Sequence, residues 1–257
     1  EPAGEADLAE LVKLVAERDA NLFVLGRGSN LLVRAGGIRG VVICLAHPSF
    51  STVEIIGERI RCGAGAKLKL VAVEAKRAGL SGVEFLEGIP GSVGGALRMN
   101  AGAFEVVDSL RFMDYAGRIF EKPVAEVPAE YRACPLLKTH IALGAVFKGR
   151  LTTRADVETR MNTFSAKRWA SQPSAPSAGC CFKNPVTIPA GRLIQELGLK
   201  GARVGGAMVS LEHGNFIVND GSATAKDVLN LMALIQDRAR TERGIELSPE
   251  VEIVGED

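Results

Sequence analysis

The chain has 257 residues, enough for about one to three domains, and its 31 Lys and Arg against 30 Asp and Glu leave no basic field to favour nucleic acid. No run approaches the roughly eighteen apolar residues of a membrane helix, and Glu1-Pro-Ala-Gly-Glu5 has neither the basic start nor the apolar block of a signal peptide. An odd set of cysteines at 44, 62, 134, 180 and 181 argues against a disulfide framework and for a reducing, cytoplasmic setting, and His47, His140 and His213 are too scattered for a zinc site.

Helical spacing of Leu8, Leu11, Val12 and Val15 predicts an amphipathic helix over residues 5–19, followed by a short apolar strand, Leu22 to Leu25. That strand opens into Gly26, Arg27, Gly28, Ser29, Asn30, Leu31 and Leu32. A Rossmann dinucleotide fingerprint would need glycine where Leu31 stands, so this is a tight turn whose Ser29 and Asn30 offer hydroxyl and amide donors to a phosphate. Val41 to Leu45 reads as a second strand, closing a small strand-helix-strand unit near residue 46. A hairpin across Gly57 follows, and Gly63-Ala-Gly65 reads as the strand-to-helix turn before a helix over 66–78 that stops at Gly79.

The densest signal is Gly88-Ile-Pro-Gly-Ser-Val-Gly-Gly-Ala-Leu-Arg-Met-Asn-Ala-Gly102, which has five glycines. Glycines let backbone approach a partner closely, and successive N–H groups of such turns make a nest for a diphosphate. The bland alternative is a Gly-rich turn, although Val93, Ala96, Leu97 and Met99 require partial burial. Beyond it, 107–115 with 118–120 reads as a hairpin at Ala116-Gly117, and 141–147 as a strand. The mixture of helices and hairpins predicts an α+β class. A polar helix over 156–167 and the Pro- and Ser-rich stretch Ser171 to Ser177 mark a linker. After it come a helix from Pro189 to Gly198, a strand Asn215 to Asn219, a helix over 225–243 capped by Ser222 or Thr224 and ended by Gly244, and a terminal strand Leu247 to Val254.

Three residues invite chemistry, and each has a plain alternative. Arg132 after Tyr131 reads equally as a surface arginine, Glu250 as a solvated strand-end carboxylate, and Cys180, in a proline-bounded loop, as an inert buried thiol.

At these residues the chain resembles the UDP-N-acetylenolpyruvoylglucosamine reductase family, in its shorter type without a tyrosine-bearing loop. The likeness is carried by Gly26 to Leu32, Gly88 to Gly95 with Met99 to Gly102, Glu130-Tyr-Arg132, Gly179 to Pro185, His213 to Asn219 and Leu247 to Val251. It implies an FAD-binding fold of the vanillyl-alcohol-oxidase type, with subdomains at 1–46 and 47–151, a substrate domain at 152–245, and a last strand at 246–257 returning near the site. FAD would be held non-covalently by Gly26, Arg27, Gly28, Ser29, Asn30, Leu31, Pro90, Gly91, Ser92, Gly94, Gly95, Asn100 and Gly102, and no metal is implied. Substrate contacts would fall to Tyr131, Lys183, Asn184, His213 and Asn215.

The implied reaction carries hydride from NADPH to flavin N5, then to the terminal carbon of UDP-N-acetylglucosamine enolpyruvate, giving UDP-N-acetylmuramate for peptidoglycan. Arg132 and Glu250 would stabilise the enediolate, and Cys180, standing where the family carries serine, would protonate it. A cytoplasmic monomer without nucleic-acid or membrane partners is expected. The family also has a short segment before its first helix that this sequence does not show, for which weaker flavin affinity is expected. The alternatives are a non-catalytic flavin or nucleotide-sugar binder and an oxidase of the same fold, the latter disfavoured because the histidines lie outside the Gly-rich motifs.

Overall fold

In the computed structural model all 257 residues are described, the side chain of Ala103 apart, and the chain divides into two units. The first comprises Glu1–Arg27 with Gly40–Ala166, the second Gly28–Arg39 with Lys167–Asp257.

The first unit opens with α1 (Glu5–Glu17), which buries Leu8, Val12 and Val15 as the spacing predicts. A bidentate ion pair from Arg111 to Glu5, at 2.6 and 3.1 Å, fastens its first turn to strand Val107–Asp114. Strand Leu22–Leu25 pairs in parallel with Val41–Cys44. The predicted helix between these strands does not form: the intervening Gly28–Arg39 belongs to the second unit and contains a three-residue strand, Leu31–Val33. The unit's main sheet is antiparallel, in the order Val53–Ile56, Arg59–Gly63, His140–Lys148, Val107–Asp114, Ile119–Pro123. Against it lies α2 (Leu68–Arg77), burying Leu68, Val71, Ala72 and Ala75, and Gly79 follows in the left-handed region at φ 64°. A third helix, α3 (Val93–Arg98), is hidden in the glycine-rich stretch. α4 (Arg154–Ser171) is longer than its polar composition suggested and carries the chain into the second unit.

The second unit is built on a four-stranded antiparallel sheet in the order Ser177–Cys180, Phe216–Asn219, Ala207–Val209, Arg203–Val204. α5 (Ala190–Glu196) and α6 (Ala225–Arg243) pack on it around Leu193, Ile194, Leu231, Met232 and Ile235. Of the two cap candidates for α6, Thr224 takes the place: its hydroxyl accepts from Asp227 N–H while Asp227 accepts from Thr224 N–H. Gly244 ends the helix at φ 64°. The terminal strand is shorter than predicted, Glu252–Val254, and pairs in parallel with Leu31–Val33, some 220 residues earlier in the chain. Among the described residues no helix is long and apolar enough to cross a membrane.

Candidate active site

Within the first unit, three glycine-bearing turns meet. Gly91 stands at φ 142°, where a side chain would be strained, and Lys67 and Ser92 form a bridge in which Leu68 N–H donates to Gly91 O and Val93 N–H to Ala66 O. Gly94 N–H donates to Ala64 O at 2.8 Å, and a Cβ on Gly94 would come within 3.1 Å of the Ala64 methyl. Gly63-Ala-Gly65 is thus more than the start of α2; it is the wall on which the phosphate stretch leans. A Cβ on Gly26 would in turn lie 3.2 Å from the Ser92 hydroxyl oxygen, so the first turn passes directly over the second. Ser92 is buried, and among the described residues the Gly91 and Ser92 N–H groups donate to no protein acceptor. Bare backbone, unused donors and a buried hydroxyl in one place suit a diphosphate.

The arginine turn belongs to the same unit. Glu130 and Ala133 exchange backbone hydrogen bonds of 2.8 and 3.1 Å around Tyr131 and Arg132, and Arg132 is held at φ 57°. Its guanidinium lies 5.0 Å from the centre of the exposed Tyr131 ring. Asn100, also in the left-handed region at φ 41°, donates its amide to Glu130 O at 2.9 Å. Cys134 N–H donates to Arg98 O, and Arg98 donates its guanidinium to Leu137 O. The end of the glycine-rich stretch therefore sets the arginine turn. Among the described residues three non-glycine residues have positive φ, and two of them are Asn100 and Arg132. Arg98 was not singled out by sequence reasoning; its signal was its place between Leu97 and Met99 in the same motif.

The second unit gathers the remaining candidates. Cys180 lies at the end of a strand, not in the predicted loop, and is half-buried. Its neighbour Cys181 turns inward among Phe182, Leu193 and Val251, and burial pushes its thiol up to about 12. Alternation along an extended backbone thus separates the two thiols: Cys181 is a core residue without acid chemistry near neutrality. Cys181 O accepts from Glu250 N–H at 2.8 Å, which sets Glu250 beside the cysteine pair. Asn30 closes the arrangement, donating its amide to Glu250 O at 3.0 Å and accepting from Glu252 N–H. The remaining turn residues Gly28, Ser29 and Leu31 belong to this unit, Gly28 at φ 67°.

Of the expected substrate contacts in this unit, Lys183 is half-buried and donates its backbone N–H to Ser248 O, while the exposed Asn184 accepts from Ala190 N–H and so caps α5. His213 Nδ1 accepts from Asn215 N–H, its ring packs edge-on against Phe216, and burial followed by the charge of Lys200 holds its pKa below 6.5. Asn215 is buried, with both ends of its amide bonded to the Phe182 backbone, an inward orientation that differs from the expected substrate-facing one.

Two families match the chain: the FAD binding domain over residues 1–121 and the UDP-N-acetylenolpyruvoylglucosamine reductase, C-terminal domain, over 172–254. The reductase of that name from Clostridium botulinum is 40% identical over 263 residues, covering all of this chain and 86% of the relative. The one from Listeria monocytogenes is 41% identical, covering 96% and 85%. The crystal structure of the Thermus caldophilus reductase superposes with a TM-score of 0.85 at 40% identity, over 97% of this chain and 89% of that one. The glycine cradle, with its buried Ser92 and unused N–H groups, fits the diphosphate of FAD.

Proposed function

The chain belongs to the UDP-N-acetylenolpyruvoylglucosamine reductase family, and on that footing we propose that it reduces UDP-N-acetylglucosamine enolpyruvate to UDP-N-acetylmuramate, with NADPH as reductant. FAD, when bound, supplies the two-electron relay between the nicotinamide and the enolpyruvyl double bond. In the first unit its diphosphate would be held by Gly26, Arg27, Pro90, Gly91, Ser92, Gly94 and Gly95; for Gly28, Ser29, Asn30 and Leu31, which belong to the second unit, a cofactor role is proposed on the family resemblance alone. Gly102 would contribute to the same cofactor site, and Asn100, which donates to Glu130 O, would tie that site to the arginine turn. The subdivision of the chain at residues 46 and 151, and the assignment of 152–245 to the substrate, are part of the same proposal. So are a cytoplasmic location and a monomeric state.

The chain's own residues act on the carboxylate and on the carbon that must be protonated. Arg132 binds the substrate carboxylate through its planar fork and stabilises the charge that develops there on reduction. Glu250, in its protonated form, donates a hydrogen bond to the same carboxylate. Cys180 delivers a proton to the substrate carbon; a thiol is a stronger acid than the alcohol it replaces. Tyr131, Lys183, Asn184 and His213 bind the rest of the substrate, His213 as a neutral ring whose Nε2–H is the available donor.

The observation that carries this reading is the Asn30 bond to Glu250: a turn expected at the cofactor diphosphate is fastened to the main chain of the expected catalytic carboxylate. The test is spectroscopic. The purified protein should show flavin absorbance, bleach under NADPH without oxygen, and recover colour with the enolpyruvyl sugar nucleotide faster than with air. A preparation that stays colourless after reconstitution with FAD, or recovers only with air, would sink the proposal.

A further inference from the structure

Strand Ser177–Cys180 runs antiparallel to Phe216–Asn219, with Cys180 opposite Phe216. One residue further, Cys181 N–H still donates to Asn215 O at 2.8 Å, but the return bond of the ladder is missing. Asn215 N–H goes instead to His213 Nδ1, and Cys181 O accepts from Glu250 N–H. At this point the chain leaves one neighbour for another. Phe182 bridges to Pro249, and Lys183 N–H donates to Ser248 O at 2.9 Å.

The Asn215 side chain spans that change of partner. Its Oδ1 accepts from Phe182 N–H at 3.0 Å and its Nδ2 donates to Phe182 O at 2.7 Å, with the residue only 3% exposed. An amide has one acceptor and one donor end, so a single orientation satisfies both backbone groups. It reproduces a ladder pair after the ladder has ended. Phe182 is fully buried, so these two backbone groups would otherwise have no water to turn to.

We infer that Asn215 is a positioning residue: its amide passes the chain from the sheet to the Ser248–Glu250 segment and fixes the spacing between Cys180 and Glu250. The inference rests on the reading of those two as catalytic residues. Small displacements of a proton donor are costly, about a hundredfold for an ångström.

The experiment compares Asn215→Ala and Asn215→Asp with the wild-type holoenzyme, following bleaching by NADPH and recovery by the enolpyruvyl substrate separately. Recovery at saturating substrate should slow by about ten- to a hundredfold, with bleaching unchanged and the substrate dissociation constant within about twofold. In Asn215→Asp a carboxylate oxygen faces Phe182 O; protonation restores the donor, so its deficit relative to wild type should shrink toward pH 5.5, whereas that of Asn215→Ala stays constant. Recovery at the wild-type rate, or a defect confined to substrate affinity, would overturn the inference. Cys180→Ala and Glu250→Gln run in parallel. Fast recovery in those two overturns the catalytic reading and the strut with it; slow recovery in them with fast recovery in Asn215→Ala overturns the strut alone. Should Asn215→Ala not fold, hydrogen exchange of the wild-type holoenzyme decides: Phe182 N–H should exchange as slowly as Ile217 N–H, and exchange at the rate of an exposed loop refutes the bond.

Discussion

The arginine turn of the first unit and the cysteine-glutamate pair of the second are held by different physical means. Arg132 rides on a four-residue turn in a disfavoured backbone conformation, steadied by an exposed amide from Asn100. Cys180 and Glu250 are fixed by backbone ladders over an apolar core, with a buried amide at the join. The difference matches what each proposed role tolerates. A guanidinium on a long, flexible stem can follow a carboxylate over a few tenths of an ångström, whereas a proton donor must meet one carbon along one direction. Tolerance in the first case permits a turn; its absence in the second calls for a sheet.

The sharpest way to break this contrast is at the sheet. Cys180→Ala should lower turnover by about 10²–10⁴-fold, the usual worth of a positioned general acid, while Cys180→Ser should stay within about tenfold of the native rate because the donor keeps its place. Steady-state kinetics on flavin-loaded protein checks both, and full turnover in Cys180→Ala would remove the proton-donor role. At the turn, Arg132→Lys keeps the charge but loses the planar fork. About a hundredfold loss of kcat with little change in NADPH bleaching is expected, and a KM effect alone would reduce Arg132 to a binding contact.

The supporting amides sharpen the same contrast through stability. Asn215→Ala leaves buried backbone groups unpaired and should cost about 2–3 kcal/mol in urea unfolding, whereas Asn100→Ala, losing an exposed bond, should cost about 1 kcal/mol. Asn100→Gly isolates the two functions of that residue. Glycine accepts the left-handed backbone without a Cβ penalty but, like alanine, cannot reach Glu130 O, so it should lose no more stability than Asn100→Ala while Arg132-dependent turnover drops severalfold. Equal stability losses at Asn100 and Asn215 would erase the distinction between exposed and buried struts.

Legibility in the sequence followed the range of the interactions. α1 and α6 were readable because apolar spacing, a Thr224 cap and Gly244 are local signals. α3 was not, since the low helix propensity of Gly94 and Gly95 masks a helix whose stability comes from packing on Ala64 and Ala142. The strand Leu31–Val33 was hidden for another reason: three residues carry no period, and their partner is the terminal strand at the far end of the chain. The glycine cradle was legible as a composition, but its third member, Gly63-Ala-Gly65, looked like an ordinary helix start. The thiols could not be ranked from Cys180-Cys181 alone, because which of two adjacent residues faces the core depends on a register set by Phe216. For Asn215, the family resemblance implied a substrate contact, and only the end of the ladder beside it shows that its amide bonds to Phe182.

The smallest effect concerns acid. His213 Nδ1 accepts the Asn215 N–H, which an imidazolium cannot do, and burial already holds the pKa of the folded ring below its ordinary 6.5. The unfolded chain therefore takes up a proton at higher pH than the folded one. The stability contributed by the neutral ring is complete above about pH 6.5 and is lost progressively as pH falls through the lower folded value. Urea unfolding between pH 8 and pH 5 should show a decline that is shallower in His213→Asn, whose side-chain oxygen can accept the same N–H without titrating. Identical slopes in the two proteins would mean that the ring does not support the Asn215 turn. Since that turn leads directly into the strut at Phe182, acid sensitivity at His213 would be felt first where the second unit holds Cys180, leaving the arginine turn of the first unit to its own, separate supports.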